Sequence, residues 1–480
     1  MTTTMPARRL AGSARTTART ILADYMSLPA LVHMLCFGSF LNRAGSFVMV
    51  FLTIYVSEHL NLGPVFATRC IGVFGLGSIV SSLLGGQLAD AFGRRRTLLL
   101  ALFGGATLLV AMSFARTGGQ FMGCLFLFAL IIEMYRPAAF AMVGDVTTPL
   151  QRSHAFGLMY IAVNLGFAIA PPVGGWLASK SFQWLFWGDA VTTAAFGIVV
   201  ALFIQETLPR RQAQPEERDT PSETAVPSLM PSMEELSAES DLALPTDRED
   251  PDFDLPRPEP ASPSSGTQIT QEPDGFISFG RAALAIGTDG VFLLYCLGNL
   301  LTGMVFMQAF SSLPIHLLSL GYSEFEFGSM ICVNGILIVA LQMPVTHMLN
   351  RRNRVAMILL GEVFLAAGFG LTAFAVSRSM FITTIILWTF GEIIQAPIKQ
   401  AIVTDLAPSS LRARYMGVFS MSHALSLALG PPIGGFVFER FGPRYVWLGG
   451  FGVILVAMCL YLVIFNRLNA RISLHPSHAA

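Results

Sequence analysis

Two stretches of the chain are copies of one another at a constant offset of 260 residues. The first, VGDVTTPLQRSHAFGLMYIAVNLGFAIAPPVGGW, begins at Val143, and the second, VTDLAPSSLRARYMGVFSMSHALSLALGPPIGGF, begins at Val403. Both are apolar over helix-length stretches, which indicates that half of a membrane protein has been duplicated. Parallel repeats of this kind predict a transporter whose substrate site lies between the two halves.

The hydropathy of the chain supports a membrane location. Apolar residues make up 53% of the sequence and charged residues only 12%, and the mean hydropathy is +0.60. Roughly twelve runs are long enough to cross about 30 Å of hydrocarbon as helices. We therefore predict an all-α membrane protein. The expected spans are at about 31–57, 66–89, 97–115, 120–143, 153–178, 184–205, 287–317, 325–348, 355–376, 380–404, 412–437 and 444–467.

The distribution of arginine predicts the orientation. Arginines precede the first span and recur in alternate loops, including Arg94–Arg96, Arg210 and Arg211, and Arg351, Arg352 and Arg354. The positive-inside rule makes these loops and both termini cytoplasmic. We expect no cleaved signal peptide, because no small-residue cleavage site follows an isolated apolar core. The chain is thus expected to be an integral, multi-pass protein of the plasma (inner) membrane.

A long polar segment separates the two halves. Between Glu206 and Asp274 lie about 17 of the 30 acidic residues, with many Pro and Ser residues. Such a segment cannot offset its ordering entropy by burial, which predicts a disordered cytoplasmic linker that acts as a tether or as a regulatory element. The expected organisation is a cytoplasmic tail at 1–30, a six-helix bundle at 31–205, the linker at 206–280, a second six-helix bundle at 281–468 and a cytoplasmic tail at 469–480.

The sequence also excludes several kinds of chemistry. Its six cysteines are dispersed along the spans, without the spacing of a zinc site or a disulfide framework. No GxxxxGK[ST] motif is present to drive transport with ATP, and no hydrolytic triad is suggested. We expect no enzymatic activity, cofactor, metal ion or nucleic-acid partner. The expected partners are a small amphipathic substrate, protons and the lipid bilayer, and the expected state is a monomer.

A Gly/Asp/Arg motif lies between spans two and three. The segment GGQLADAFGRRR contains Gly86, Asp90, Gly93 and Arg94 at the spacing G-x-x-x-D-x-x-G-[RK]-[RK]. Gly86 permits close helix contact, Gly93 permits a tight turn, and Asp90 can face a helix N-terminus or an arginine. The motif resembles the cytoplasmic signature of the major facilitator superfamily. The resemblance implies two six-helix bundles around a central cavity and alternating access, with Asp90 stabilising one access state.

The second half carries a changed copy of this motif. Asn350 stands where the first half has Asp90, and Asn353 stands where it has Gly93. We call the contact that Asp90 is expected to make with a helix N-terminus or an arginine the latch. The corresponding latch of the second half is therefore expected to be weakened. The long repeats themselves retain further polar positions in both halves, which we assign to the conformational mechanism: Asp145 and Arg152 in the first copy, and Asp405 and Arg412 in the second.

Span five carries a second signature, GFAIAPPVGG. Its Gly166, Pro171, Gly174 and Gly175 resemble the antiporter motif of the same family, which is associated with drug:proton antiporters. Ala170 stands where that motif has Gly. The second half keeps the pattern with Gly430, Pro431, Gly434 and Gly435. The alternative interpretation is helix packing without any role in coupling.

Charged residues within spans are costly and are functional candidates by default. In span four, Glu133 and Arg136 share a face, and Arg136 resembles the span-four arginine of the family. We predict that Glu133 carries the proton, with Arg136 or Arg43 of span one adjusting its proton affinity. Further candidates for proton coupling are Glu392 and Glu362. The alternative is that these residues form structural ion pairs.

Aromatic and amide side chains on the same spans are expected to contact substrate. Several aromatic side chains of span one share the helical face of Arg43, at steps of three and four residues. Span ten has a similar polar and aromatic face that ends at Lys399. The substrate-binding candidates are Asn42, Phe47, Phe51 and Tyr55 in span one and Trp388 and Gln395 in span ten.

These observations predict proton-driven export of amphipathic small molecules, drug-like compounds among them, by alternating access. A lipid or siderophore-like metabolite carrier is an alternative, because an aromatic cavity with a basic residue also suits an anionic amphiphile. A non-transporting membrane sensor is a further alternative, with the acidic linker as its functional element.

Overall fold

The structure is a computed structural model that describes residues 25–207, 279–349, 352–408 and 411–473. Within these ranges every regular element is helical, and twelve spans are long and apolar enough to cross a membrane. Six spans precede and six follow the undescribed residues 208–278, which contain most of the predicted linker. The predicted arrangement of two six-helix halves is confirmed.

The helix bounds agree with the expected spans to within several residues. Spans one to six comprise the helices Ala30–Ala44 and Phe47–Ile54 with the π-helical turn Tyr55–His59, then Gly63–Phe92, Arg94–Ser113, Gly118–Ile132 with Tyr135–Val146, Pro149–Ala178, and Gln183–Phe203. Spans seven to twelve comprise Gly290–Phe306, Met307–Ala309 and Ser312–Ser319, then Glu324–Leu349, Arg354–Thr372, Arg378–Leu406, Arg412–Phe441 and Pro443–Ser473, with a short helix Phe279–Thr288 before span seven.

Span one is broken at Gly45 and Ser46, near its middle. Asp189 on span six accepts a hydrogen bond from the backbone N of Val48 (3.3 Å), so its carboxylate lies at the N-terminus of the second helix of the span. Thr193 donates to Asp189 Oδ1 (3.4 Å) and accepts from Asn42 Nδ2 (2.9 Å). A polar network from span six therefore holds the break in span one.

The two halves meet through glycines in spans two, five, eight and eleven. A Cβ added to Gly75 would lie 2.5 Å from the backbone N of Ala428, and one on Gly335 would lie 2.7 Å from Ala168 Cα. We call the end of the bundle at Gly93, where spans two and three meet, the arginine-rich end, and the end at His59 the opposite end. The two halves are also in contact toward the opposite end, where a Cβ on Gly175 would lie 2.7 Å from the Glu324 carbonyl oxygen.

Replacing Gly75 by alanine is expected to weaken this close contact between the two halves. The added methyl group would meet backbone atoms of span eleven, which must then move away, and overpacking of this kind costs about 1–3 kcal/mol. The distance between spin labels at the exposed positions Leu62 and Phe441 should shift toward longer values. Gly417→Ala is the matched control, because a Cβ there meets nothing within 4 Å. An unchanged distance distribution in Gly75→Ala would contradict the prediction.

The end of span twelve is anchored to the start of span seven. Asp289 accepts two hydrogen bonds from Arg471, at 2.7 and 2.9 Å, and one from Phe292 N at 3.1 Å. Burial acts to raise the pKa of Asp289, but the Arg471 guanidinium and the Phe292 N–H outweigh it and hold the pKa below its usual range. The stabilisation is therefore present above the unfolded-state pKa of about 3.9 and is lost as the pH falls through the lower folded-state value. Arg471, which was expected in the C-terminal tail, lies in the last turn of the helix.

Candidate functional site

A cavity of about 200 Å³ lies between the two halves. Three charged side chains line it: Arg43 and Arg136 from the first half and Glu392 from the second. The amides of Asn164 and Asn334 supply further polar atoms. The rest of the wall is apolar and mainly aromatic, formed by Val163, Phe167, Phe306, Phe310 and Ile338. A mostly apolar wall with a few convergent polar groups is typical of a site for an amphipathic small molecule.

Arg43 is positioned by the break in span one. It lies in the last turn of the helix Ala30–Ala44, where a cation is favoured by the helix dipole. Its Nε atom is buried and has no hydrogen-bond partner among the described residues. Asp189 is close enough to attract Arg43 electrostatically, but it accepts its hydrogen bonds from Val48 and Thr193. Arg43 therefore keeps donor capacity in the cavity wall.

Glu133 and Arg136 form an ion pair at a helix junction in span four. The helix that ends at Ile132 is followed by Glu133 and Met134 before the next helix begins at Tyr135. Arg136 Nε lies 3.6 Å from Glu133 Oε2, and the Arg136 side chain remains 46% exposed. The loose contact leaves the guanidinium available to a ligand.

Glu392 on span ten is held by span eight. Asn334 Nδ2 donates to Glu392 Oε2 at 2.8 Å and to Thr389 Oγ1 at 3.1 Å. Asn334 is itself buried, so these hydrogen bonds orient its amide. The carboxylate of Glu392 is thus fixed in the cavity wall without a salt-bridge partner among the described residues.

Glu362, the remaining acid predicted for coupling, lies in the core of the second half. Its side chain is fully buried and accepts hydrogen bonds from Lys399 Nζ at 3.1 Å and from Thr302 Oγ1 at 3.0 Å. The hydroxyl of Tyr295 donates to the backbone oxygen of Lys399 at 3.0 Å. Neither partner of this ion pair lines the cavity. Glu362 and Lys399 thus form a buried ion pair outside the cavity wall.

Asp189 is a buried acid that the sequence analysis missed. It is 4% exposed and lies in span six, within the network that holds the break in span one. The rule that singled out Glu133 and Glu392, that an ionisable residue within a span is a functional candidate, applies equally to Asp189.

The aromatic residues predicted from span one do not line the cavity. Phe51 is fully buried and packs edge-on against Phe327, with ring centroids 5.6 Å apart, where the two halves meet. Tyr55 packs within the first half against Phe186, at 4.9 Å. Phe47 is also buried, beside Gly174 and Gly188. The prediction assumed one continuous helix, whereas span one is interrupted at Gly45 and Ser46, before all three of these side chains.

The other predicted substrate contacts are also buried next to the site rather than in its wall. Asn42 is used in its hydrogen bond to Thr193. Trp388 is 1% exposed and packs edge-on against Phe306, with centroids 5.6 Å apart, so it supports a ring that does line the cavity. Gln395 is 4% exposed and lies against Gly361.

An ion pair lies at the arginine-rich end of the first half, next to the motif that contains the predicted latch residue Asp90. Arg94 pairs with Asp145, and the hydroxyl of Thr207 donates to Asp145 at 2.9 Å. Glu206 accepts from the backbone N atoms of Arg94 and Arg95, at 2.9 and 3.1 Å, and so caps the N-terminus of span three. Gly93 has φ +100°, which favours glycine. Gly86 and Asp90 lie in the helix of span two, but their side-chain surroundings are outside the described part.

The second half keeps the equivalent ion pair. Arg354 pairs with Asp405, and these two residues stand at the 260-residue offset from Arg94 and Asp145. The expectation of a weakened latch rested on Asn350 and Asn353, and Asn353 instead caps span nine by accepting from Ala356 N at 2.9 Å. Arg152 donates to the Gly144 backbone oxygen at 3.2 Å, whereas the side chain of Arg412 is outside the described part.

Disrupting the second ion pair is expected to slow transport. Arg354→Gln and Asp405→Asn should each lower the initial rate several-fold, and the double variant should be no slower than either single variant, because contacting residues act as a unit. Arg352→Gln, in the same loop and exposed, is the control. Additive effects of the two substitutions on initial uptake into proteoliposomes would show that the pair does not act as a latch.

The glycines of the antiporter-like motif lie at close contacts between helices. A Cβ on Gly166 would lie 2.6 Å from the backbone oxygen of Phe40, and one on Gly174 would lie 2.7 Å from the Phe51 ring. In the second half Gly434 packs on Gln308, and Pro432 lies against Gly72. The neighbouring Pro171 and Pro431 are buried within their helices. These contacts explain the small residues by packing within and between the halves.

Comparison with known proteins identifies relatives over the whole chain. The family model of the Major Facilitator Superfamily matches residues 35–398 and 295–478. An uncharacterized MFS-type transporter, YqjV of Bacillus subtilis (strain 168), is 22% identical over 92% of this chain and 95% of its own length. A Na(+), Li(+), K(+)/H(+) antiporter of Planococcus maritimus is 24% identical over 90% and 95%. A crystal structure of a POT family transporter in complex with 5-aminolevulinic acid matches with a TM-score of 0.69 at 16% identity, covering 92% of this chain and 99% of that one.

Proposed function

The chain belongs to the Major Facilitator Superfamily and is a secondary transporter rather than an enzyme, and we propose that it exports amphipathic small molecules in exchange for protons. The observation that carries the proposal is the cavity between the halves, which combines an aromatic wall with ionisable groups. Glu392 lines this cavity, and Glu133 contacts Arg136, which also lines it. Protonation in the site can therefore alter the binding of a substrate.

The contacts between the halves suggest the access state and the direction of opening. Backbone contacts join the halves toward the opposite end, while a Cβ on Gly417, near the arginine-rich end, would meet nothing within 4 Å. We assign the arginine-rich end to the cytoplasm by the positive-inside rule, which makes this conformation inward-facing. Rocking of one half against the other would then open the site to the outside, with Arg94–Asp145 and Arg354–Asp405 bracing the inner end of each half.

Exchange of monovalent metal cations for protons is a second candidate. The antiporter of Planococcus maritimus is similar along nearly the whole chain, which favours this function. Against it, two of the three charged residues in the cavity wall are arginines, which repel a bare cation. We therefore favour organic substrates.

The test is a substrate screen with the purified chain in proteoliposomes under an imposed pH gradient. We expect amphipathic compounds to accumulate against their own gradient, in the direction opposite to proton flow, and a protonophore to abolish the accumulation. Pulses of Na⁺, Li⁺ and K⁺, followed with a pH-sensitive dye, test the second candidate. Binding without gradient-driven movement of any compound would overturn the proposal and favour the sensor alternative.

A further inference from the structure

The charges of the cavity are divided between the two halves. The basic groups of the wall, Arg43 and Arg136, belong to spans one and four of the first half. The acidic group, Glu392, belongs to span ten of the second half. A ligand between the halves therefore meets positive charge on one wall and negative charge on the other.

The three charged side chains of the cavity wall differ in the ion-pair and hydrogen-bond partners that they have within the protein. Arg136 has a carboxylate partner, Glu133, at 3.6 Å, whereas Arg43 forms no salt bridge with a described residue. Arg43 is thus the better donor for an anionic group of a ligand. Glu392 accepts one hydrogen bond, from the neutral amide of Asn334, and retains acceptor capacity for a cationic group.

No described cationic side chain forms a salt bridge with Glu392. The groups that face it are Asn334 on span eight, the phenol of Tyr160 on span five, which is close enough to interact electrostatically, and the arginines across the cavity. Charged groups withdrawn from water contribute to binding only when a ligand supplies partners for them. A purely anionic ligand would supply no cationic group to Glu392, and a purely cationic one would supply no anionic group to Arg43, whose attraction to Asp189 involves no hydrogen bond.

We propose that the substrate is an amphipathic zwitterion, whose anionic group binds Arg43 and whose cationic group binds Glu392, with its apolar part against Phe167, Phe306 and Phe310. Trp388 packs edge-on against Phe306 and so keeps that ring in place. The inference rests on the proposed function, since it names the substrate class of the same cavity. It concerns recognition alone and needs no assumption about the direction of transport or about coupling.

The test is equilibrium binding of three matched probes to the purified full-length chain in detergent. 3-(2-Naphthyl)alanine is a zwitterion, its primary amide is a cation and its N-acetyl derivative is an anion, all with the same ring. We expect the zwitterion to bind at least about tenfold more tightly than either derivative, because each derivative leaves one buried charge unpaired. Equal affinity of either derivative would overturn the inference.

Two variants separate recognition from damage to the fold. Arg43→Gln should remove the advantage of the zwitterion over the amide but keep its advantage over the N-acetyl derivative. Glu392→Gln should do the reverse, while Arg69→Gln, at an exposed position on span two, should leave all three affinities unchanged. If either cavity variant lowers the three affinities equally, the residue does not read ligand charge and the inference fails.

The binding assay contains no gradient, so its outcome is independent of proton coupling. Zwitterion-selective binding without gradient-driven transport would refute the proposed function and leave this inference standing. Proton-driven transport of compounds without any preference for zwitterions would do the opposite.

Discussion

Glu362→Gln is expected to lower the melting temperature of the protein by about 10 °C. The substitution leaves the ammonium of Lys399 buried without its carboxylate partner, and breaking a buried ion pair in this way costs about 3–5 kcal/mol. The expected loss is large because the Glu362 side chain is fully buried and that of Lys399 is only 8% exposed. Water cannot replace the lost partner. Thermal unfolding of the detergent-solubilised chain is the measurement.

A second substitution distinguishes loss of the ion pair from loss of packing. Combining Glu362→Gln with Lys399→Met should restore most of the melting temperature, because removing both charges of a buried pair is often close to neutral. Glu439→Gln, at an exposed position on span eleven, is the control for removing one carboxylate. A double variant as unstable as Glu362→Gln would mean that the ion pair is not the source of the stability.

The hydropathy of the sequence predicted the spans well, because a bilayer requires long apolar helices whatever their neighbours are. It could not predict the break in span one. Gly45 and Ser46 are unremarkable in a membrane helix, and the break is held by Asp189 and Thr193 from span six, about 140 residues away. Phe51, which lies beyond the break, packs against Phe327 and is not part of the cavity wall.

The repeat contained more information than the sequence analysis used. The 260-residue offset carries Arg94 to Arg354 and Asp145 to Asp405, so the second ion pair could have been predicted from the first. The expectation for the second half rested on Asn350 and Asn353, which stand at the positions of Asp90 and Gly93, and did not consider this pair. An ion pair needs only its two charged partners, and both are present in each half.

Helical spacing predicted which residues of span ten share a face, but it could not predict which residues of other helices each of them contacts. Trp388 and Glu392 are four residues apart and Glu392 and Lys399 are seven apart, so all three lie on one helical face, as the sequence indicated. The structure packs Trp388 against Phe306 and Phe369, and Lys399 against Glu362. Of these three residues, Glu392 alone lines the cavity. The neighbouring helices that pack against one face of span ten differ from one turn to the next, and helical spacing does not predict them.

Glu133→Gln is expected to abolish accumulation of substrate against its gradient while leaving substrate binding in place. Glu133 is the acid whose partner, Arg136, lines the cavity, so a proton gained or lost by Glu133 would change the net charge of the pair beside a ligand. Glutamine keeps the size of the side chain but cannot exchange a proton. Accumulation in proteoliposomes with an imposed pH gradient should fall to the level measured without a gradient.

The conservative variant Glu133→Asp keeps an acid at this position and should retain part of the gradient-driven accumulation. The comparison requires equal amounts of folded protein, since Arg136 without its carboxylate could destabilise the bundle by itself. Binding of the substrate to the same preparations provides that check, because a misfolded variant would lose it. If Glu133→Gln still drives uphill transport with an unchanged pH dependence, the proton is carried elsewhere. Glu392 is then the next acid to replace, because it lines the cavity and Glu362 does not.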